Sequence, residues 1–177
     1  MKLTPVMQRY IVHWGEMGSR WGMNRSVAQI HALLYLSPEP LNAEDIATTL
    51  SIARSNVSTS LRELEGWGIV RAVHLLGDRR EHYQTMNDVW EMARVILAER
   101  KRREIDPTVG VLRECVVEAE KGGKAEAGKG ERLKAMLEFV EMVTSLYTQM
   151  SSLPTGALQG LLATQGKLRS LFGSKHG

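Results

Sequence analysis

Residues 51–70, SIARSNVSTSLRELEGWGIV, carry the side chains best suited to recognising a partner. At helical spacing Ser55, Ser58, Thr59 and Arg62 project to the side opposite Val57, Leu61 and Leu64. Small polar groups let a helix sit deep in a major groove. There Ser and Thr bond base edges or phosphates, Asn56 can read adenine and Arg62 can read guanine. Arg54, at the start of the helix, would stand at the rim near phosphate. An ordinary solvated helix face has the same composition, so this stretch alone leaves both readings open. A second group lies downstream. Ile69, Val70 and Val73 open a β-branched run, Gly77-Asp78 signals a turn, and EHYQT at residues 81–85 supplies a return strand. Arg79 and Arg80 then stand at the tip of a hairpin, placed to clamp a phosphate backbone or enter a minor groove. The pairing of a polar helix face with an arginine-tipped hairpin favours DNA contact over two unrelated solvated surfaces.

Catalytic chemistry has no comparable footing. The chain has no G-x-S-x-G elbow and no H-E-x-x-H helix, and its five histidines are scattered. One cysteine, Cys115, cannot build a cysteine-rich zinc site or an internal disulfide. It falls on an expected apolar stripe and reads as inert burial rather than a redox sensor. Gly123, Gly128 and Lys129 have the spacing of a phosphate-binding loop. Gly130 follows where Ser or Thr must hold magnesium, and no strand feeds the loop, so the match is rejected. No enzyme activity, cofactor or metal is expected. Trp14, Trp21, Tyr35 and Trp90 allow two readings, a cation-binding aromatic cage or plain core, and core is the simpler.

At 177 residues and net charge +3 the chain has room for one ordinary domain with a dimerisation arm. The charge is only a weak hint of a polyanionic partner. No apolar run is long enough to span a bilayer and no leader pattern opens the chain, so a cytoplasmic location is expected.

The supporting elements read as helices. Thr4 and Pro5 open the first, with Val6, Tyr10, Trp14, Met17 and Trp21 on one face. Gly15, Gly18 and Gly22 cost roughly 1 kcal/mol each in a helix interior, which suggests a bend or close approach of another backbone. Asn24 caps a second helix carrying Val27, Ile30, Leu33, Leu34 and Leu36, with His31 on or beside the stripe as a satisfied core or interface histidine. Ser37-Pro38-Glu39-Pro40 stops it. Asn42 caps a short helix supported by Asp45, with Leu41 and Ile46 as a hydrophobic staple. A tight turn through Ile52 and Ala53 leads into the polar-faced helix, which ends near Gly66 and Gly68. A further helix runs from Asp88 to about Ile105, with Val89, Met92, Ala93, Ile96 and Leu97 inward. The run Arg100 to Arg103 near its end suits either phosphate contact or a solvated helix end. Asp106-Pro107 is expected to break that helix. The next carries Val109, Leu112, Cys115, Val116 and Ala119. A long helix over residues 131–150 carries a stripe wide enough to call for a second copy. A last one opens at Pro154 with Leu158, Leu161, Leu162, Leu168, Leu171 and Phe172.

The segments LNAEDIATTLSIARSNVSTSLRELEGWGIV and GDRREHYQT resemble the winged helix-turn-helix of MarR-type transcription regulators. HWGEMGSRWGMNRSVAQIHALLYLSPEPL and ERKRREIDP are similar to flanking segments of the GbsR-type branch. Ala53 departs from the pattern, since the family often places Ser at the cap of the recognition helix. Either Ser55 serves instead or the helix start shifts. The resemblance implies a mainly α fold with a winged helix-turn-helix, a small β-hairpin wing and N- and C-terminal dimerisation helices. Its parts would be residues 1–23, 24–105 and 106–177: a support helix, the DNA-binding domain and a dimerisation region. It implies a cytoplasmic homodimer that regulates transcription from a near-palindromic double-stranded operator and is often released by a small effector. The alternative is a winged-helix protein-interaction module that does not touch DNA, which the near-neutral charge of residues 41–85 allows.

Overall fold

The computed structural model describes residues 1–122, 127–154, 156, 157 and 160. They divide into two compact units, Met1–Ile96 and Leu97–Gly177.

The first unit opens with α1 (Pro5–Arg20), whose N-cap Thr4 accepts from the Met7 amide at 3.3 Å. α2 (Arg25–Leu36) follows, capped by Asn24. α2 is the central post of the core, with Val27, Ile30, Ala32, Leu33 and Leu34 all buried. The face of α1 that meets it differs from the expected one. Ile11, Gly15 and Gly18 are buried, whereas Val6 is 67% and Trp21 53% exposed. The glycines explain the rotation. A Cβ on Gly18 would lie 2.5 Å from the Ala28 Cβ, so only bare backbone permits this approach. Tyr10 and Trp14 stack beside the contact with ring centres 5.5 Å apart. Trp14 and Tyr35 sit at the margin of the core while Trp21 and Trp90 are exposed, so the four aromatics split between core and surface.

β1 (Leu41–Asn42), α3 (Ala43–Leu50) and α4 (Arg54–Gly66) come next, then β2 (Val70–His74) and β3 (Glu81–Thr85). The strands form an antiparallel sheet in the order β1-β3-β2. Val70 pairs with Thr85 and His74 with Glu81, and on the other side of β3 Leu41 pairs with Tyr83. β1 had no strand signature, being two residues long and too short to alternate. Asn42 does two jobs there. It pairs in the sheet, and its side chain accepts from the Glu44 and Asp45 amides while donating to the Asp45 carboxylate at 2.6 Å. The wing is thereby tied to the start of α3. Ser51 closes α3 in the left-handed region at φ 55°, which a non-glycine residue adopts at some cost. Gly68, at φ 77°, closes α4: its amide donates to Glu65, and that of Ile69 to Leu64. α5 (Val89–Arg100) starts from Asp88, whose carboxylate caps the Trp90 and Glu91 amides. Its inward residues are Met92, Val95 and Ile96; Val89, Ala93 and Leu97, expected on that side, are exposed.

In the second unit a widened π-helical turn, Lys101–Ile105, leads into α6 (Asp106–Lys121). The expected break at Asp106-Pro107 does not occur, because Ile105 and Asp106 both keep right-handed helical backbone. Proline removes an amide donor and crowds the carbonyl one turn earlier. At the first turn of α6 the donor is not needed, and the wider turn before it makes room for the ring. α7 (Ala127–Ser151) packs on α6, beginning before residue 131. A Cβ on Gly130 would touch the Ala119 Cβ at 3.4 Å, and Arg113 pairs with Glu141 at 2.7 Å on the exposed rim. Among the described residues, the outer sides of these helices leave Val111, Val117, Phe139, Met142 and Leu146 exposed. Cys115 is half-buried. The helix expected after Pro154, from Leu158 to Phe172, and Gly123 of the rejected phosphate loop lie outside the described residues.

Candidate nucleic-acid interface

α4 is positioned by its inner face. Val57, Leu61 and Leu64 are essentially inaccessible, and Ser60 is buried with them against α2 and α3. The helix starts at Arg54 after all. Ala53 takes the N-cap conformation, φ −62° and ψ 138°, with no side-chain bond to the first turn, so neither Ser55 nor a shifted start replaces it.

The expected site residues spread over three directions. Ser55, Thr59 and Arg62 are exposed on the outer face of α4. The Arg62 guanidinium lies back along the helix, 3.4 Å from the Thr59 hydroxyl. Asn56 turns to the side, its amide donating to the Ser26 hydroxyl at the start of α2 at 2.9 Å. Arg54 and the half-buried Ser58 turn toward the wing, where they share a cavity of about 360 Å³ with Arg62 and Arg80. Glu44, Glu65, Glu81 and Tyr83 complete its lining. Arg54 stands 3.8 Å from Glu44, both well exposed. The Tyr83 hydroxyl donates to Glu81 at 2.8 Å. Burial first, and that carboxylate second, push the phenol up to about 12, so it remains a donor at neutral pH.

The wing tip is a braced turn. Gly77 has φ 85°, and the Asp78 amide donates to the Leu75 carbonyl at 3.1 Å. The Asp78 carboxylate accepts from the Arg80 amide at 2.9 Å and from the Arg80 guanidinium at 3.0 Å. The hydrogen bonds from Arg80 hold the Asp78 carboxyl well below the usual carboxylate range. A ring nitrogen of the buried His82 lies 3.0 Å from the Arg80 carbonyl, fixing the same corner from inside. Arg79 is exposed and, among the described residues, has no ion pair. The other basic run is internally matched: Arg102 and Arg103 meet Glu99, Arg100 meets Glu104, and Lys101 meets Asp106. It is a paired helix surface rather than a free cationic patch.

Sequence reading missed Asp78 as the brace of Arg80, and missed Tyr83 with the acidic groups that face the arginines. The Asp-x-Arg spacing was a usable signal, because a turn aspartate commonly bonds the backbone two residues on. So was the alternation in EHYQT, which puts Glu81 and Tyr83 on one face. Among the described residues no cluster of His, Cys, Asp and Glu could hold a metal ion, and no helix is long and apolar enough to cross a membrane.

A short helix, a tight turn, a second helix with a polar outer face and a three-stranded sheet ending in a braced hairpin define a winged helix-turn-helix protein. Residues 21–81 match the model of the MarR family. No curated protein matches the chain. Among solved structures, one described as a transcriptional regulator is 19% identical, with a TM-score of 0.56 over 83% of this chain and 96% of that one, and it shares the fold. MepR, described as a transcription regulator of the Staphylococcus aureus multidrug efflux pump MepA, is 14% identical, with a TM-score of 0.36 over 94% of this chain and 93% of that chain. A structure of MepR with DNA is 14% identical, with the same TM-score, over 96% of this chain and 98% of that chain.

Proposed function

We propose that the protein is a dimeric, sequence-specific, DNA-binding transcriptional regulator, a cytoplasmic repressor released by a small effector. One observation carries the reading. Arg54, Ser58 and Arg62 of α4 line one cavity with Arg80 of the arginine-tipped wing, while Asn42 ties the sheet to the start of α3 and Asp78 closes the wing tip. In this reading α4 enters the major groove. Ser55, Thr59 and Arg62 meet base edges there, Asn56 and Ser58 flank them, and Arg54 approaches the phosphate rim. Arg79 and Arg80 hold the wing on the adjacent backbone or minor groove. The exposed apolar residues of α6 and α7 support pairing of two copies through residues 106–177, since such patches mark interaction surfaces. Residues 1–23 would serve as a support helix, packed through α1 on α2. A cavity of about 400 Å³ at the wing base, reached by Ser37, Arg71 and Thr85, has the size of a small-ligand site.

The test begins with duplexes selected from a random pool by the full chain. Two copies predict a near-palindrome with half-sites about one helical turn apart. Affinity is then measured by fluorescence anisotropy across salt concentrations. Arg79→Ala should weaken binding on most sequences and lower the salt slope by about 1. Unchanged affinity and slope would remove the wing from the interface, and failure to select any duplex would remove DNA.

A further inference from the structure

The wing tip holds an apolar side chain that its fold gives no reason to expect. Leu76 is fully exposed, and Leu75 beside it is 41% exposed. The turn dictates this. With Gly77 at φ 85° and the Asp78 amide bonded to the Leu75 carbonyl, Gly77 is the third residue of a tight turn and Leu76 the second. The second position points away from the hairpin, where neither strand can cover it. The tip is also braced against folding back, because Asp78 bonds both the amide and the guanidinium of Arg80. Such turns are ordinarily made with Pro, Asn, Asp, Ser or Gly, and leucine contributes nothing to the turn itself.

Its neighbours indicate what it fits. Arg79 is exposed, and the Arg80 side chain is 54% exposed despite its pairing. One protruding aliphatic group with a cationic collar matches a polyanion that has an apolar interior. The minor groove of a duplex is that surface, and aliphatic side chains can enter it between stacked base pairs. A protein pocket would have no need of the two arginines, and a lipid surface would call for a broader apolar face than two adjoining leucines.

We propose that Leu76 is a wedge that enters a minor-groove base step beside the sequence read by α4, partly unstacking it, while Arg79 and Arg80 grip the flanking phosphates. The wedge rests on the DNA-binding reading above. It adds a source of specificity that uses no hydrogen bond to a base. Pyrimidine–purine steps such as TA and CA unstack most easily, so they are preferred at the wedge position. Two copies place one such step on each side of the site.

The experiment uses the full chain and the duplex it selects from a random pool, with 2-aminopurine scanned through both flanks to report unstacking. The wild type should raise the fluorescence at one step per flank, and its selected pool should be enriched in TA or CA there. Leu76→Ser, at a fully exposed position, should melt as the wild type does. It should bind about tenfold more weakly, the loss expected for an aliphatic contact, and should give no fluorescence rise. Leu76→Met should restore both. Silent flanks with the wild type, or Leu76→Ser equal to it in affinity and signal, overturn the wedge. So does Leu76-dependent binding to phosphatidylglycerol–phosphatidylcholine vesicles with DNA affinity indifferent to Leu76. A selected duplex with silent flanks removes the wedge alone, whereas no selected duplex at all removes the DNA reading as well.

Discussion

Replacing His31 by leucine should flatten the acid side of the stability profile. His31 lies on α2 in the middle of the core, 4% exposed, and among the described residues its Nε2 has no hydrogen-bond partner. Burial pushes its pKa down from 6.5 to about 4. Between those values the unfolded chain takes a proton that the folded chain refuses, so stability rises with pH across that window. The contribution is complete above pH 6.5 and is lost as the pH falls toward 4, below which both states are protonated. A gap of about 2.5 units at about 1.4 kcal/mol per unit gives a full loss of about 3–4 kcal/mol, of which about 3 falls above pH 4. That is a large share of the roughly 5–15 kcal/mol that holds a typical domain together. Leucine cannot titrate and fills similar space. Urea unfolding of both proteins from pH 7.5 to 4 isolates the effect, because carboxylates that titrate alike in both cancel in the difference. The variant should gain about 3 kcal/mol on the wild type between those limits. Parallel profiles would refute the argument.

Two further substitutions test how the helices are held. Ala53→Ser supplies the missing cap to α4 in a backbone already extended for it, and should add about 1 kcal/mol in urea unfolding at neutral pH. No gain would mean that the first turn of α4 is satisfied in another way. Gly18→Ala should cost about 1–3 kcal/mol, because its Cβ meets the Ala28 Cβ at 2.5 Å and that atom cannot move without its backbone. Gly15→Ala should cost less than Gly18→Ala, because the atoms it meets, Gln29 Cγ at 2.6 Å and Arg25 Cγ at 3.2 Å, belong to side chains that can turn about their first torsion while the Ala28 Cβ cannot. A helix gain of about 1 kcal/mol offsets part of the displacement. Equal effects at the two sites would rule out close approach as the reason for the glycines.

The helix-turn-helix was legible because its punctuation is local. Asn42 caps α3, Gly68 closes α4, and Gly77 sets the wing turn within a few residues of where each acts. The contact between α1 and α2 was legible only in part: Gly15 and Gly18 pointed to close approach of another backbone, but the apolar stripe pointed to a different face. Apolar periodicity selected Val6 to Trp21, yet α1 turns its glycines inward, because a helix as apolar as α2 accepts whichever face comes closest. Hydrophobic patterns register side chains and are blind to surface created by their absence. Pro107 misled in a similar way. Its cost depends on the bond it removes, and a preceding wide turn leaves little to remove. The direction of Asn56 depends on distant sequence too. The pattern placed it with the base readers, and only the arrival of Ser26 from α2 fixes its direction.

Charge in the interface follows the same logic. Counted along the chain, Arg54, Arg62, Arg79 and Arg80 are four equal cations. Folding makes them unequal. Arg54 faces Glu44 across 3.8 Å in open solvent, a pairing worth at most about 1 kcal/mol, so an arriving phosphate can displace it. Arg80 is held in a fixed orientation, since Asp78 also bonds its backbone and closes the turn. A guanidinium has five N–H groups, and those not used on Asp78 remain to point outward from a set position. Arg79 alone is spent on nothing in the described residues. With Glu44, Glu65 and Glu81 lining the same cavity, the face offers a polyanion little net attraction. It should select DNA by fit between α4 and the wing, with Arg79 as the main source of salt dependence.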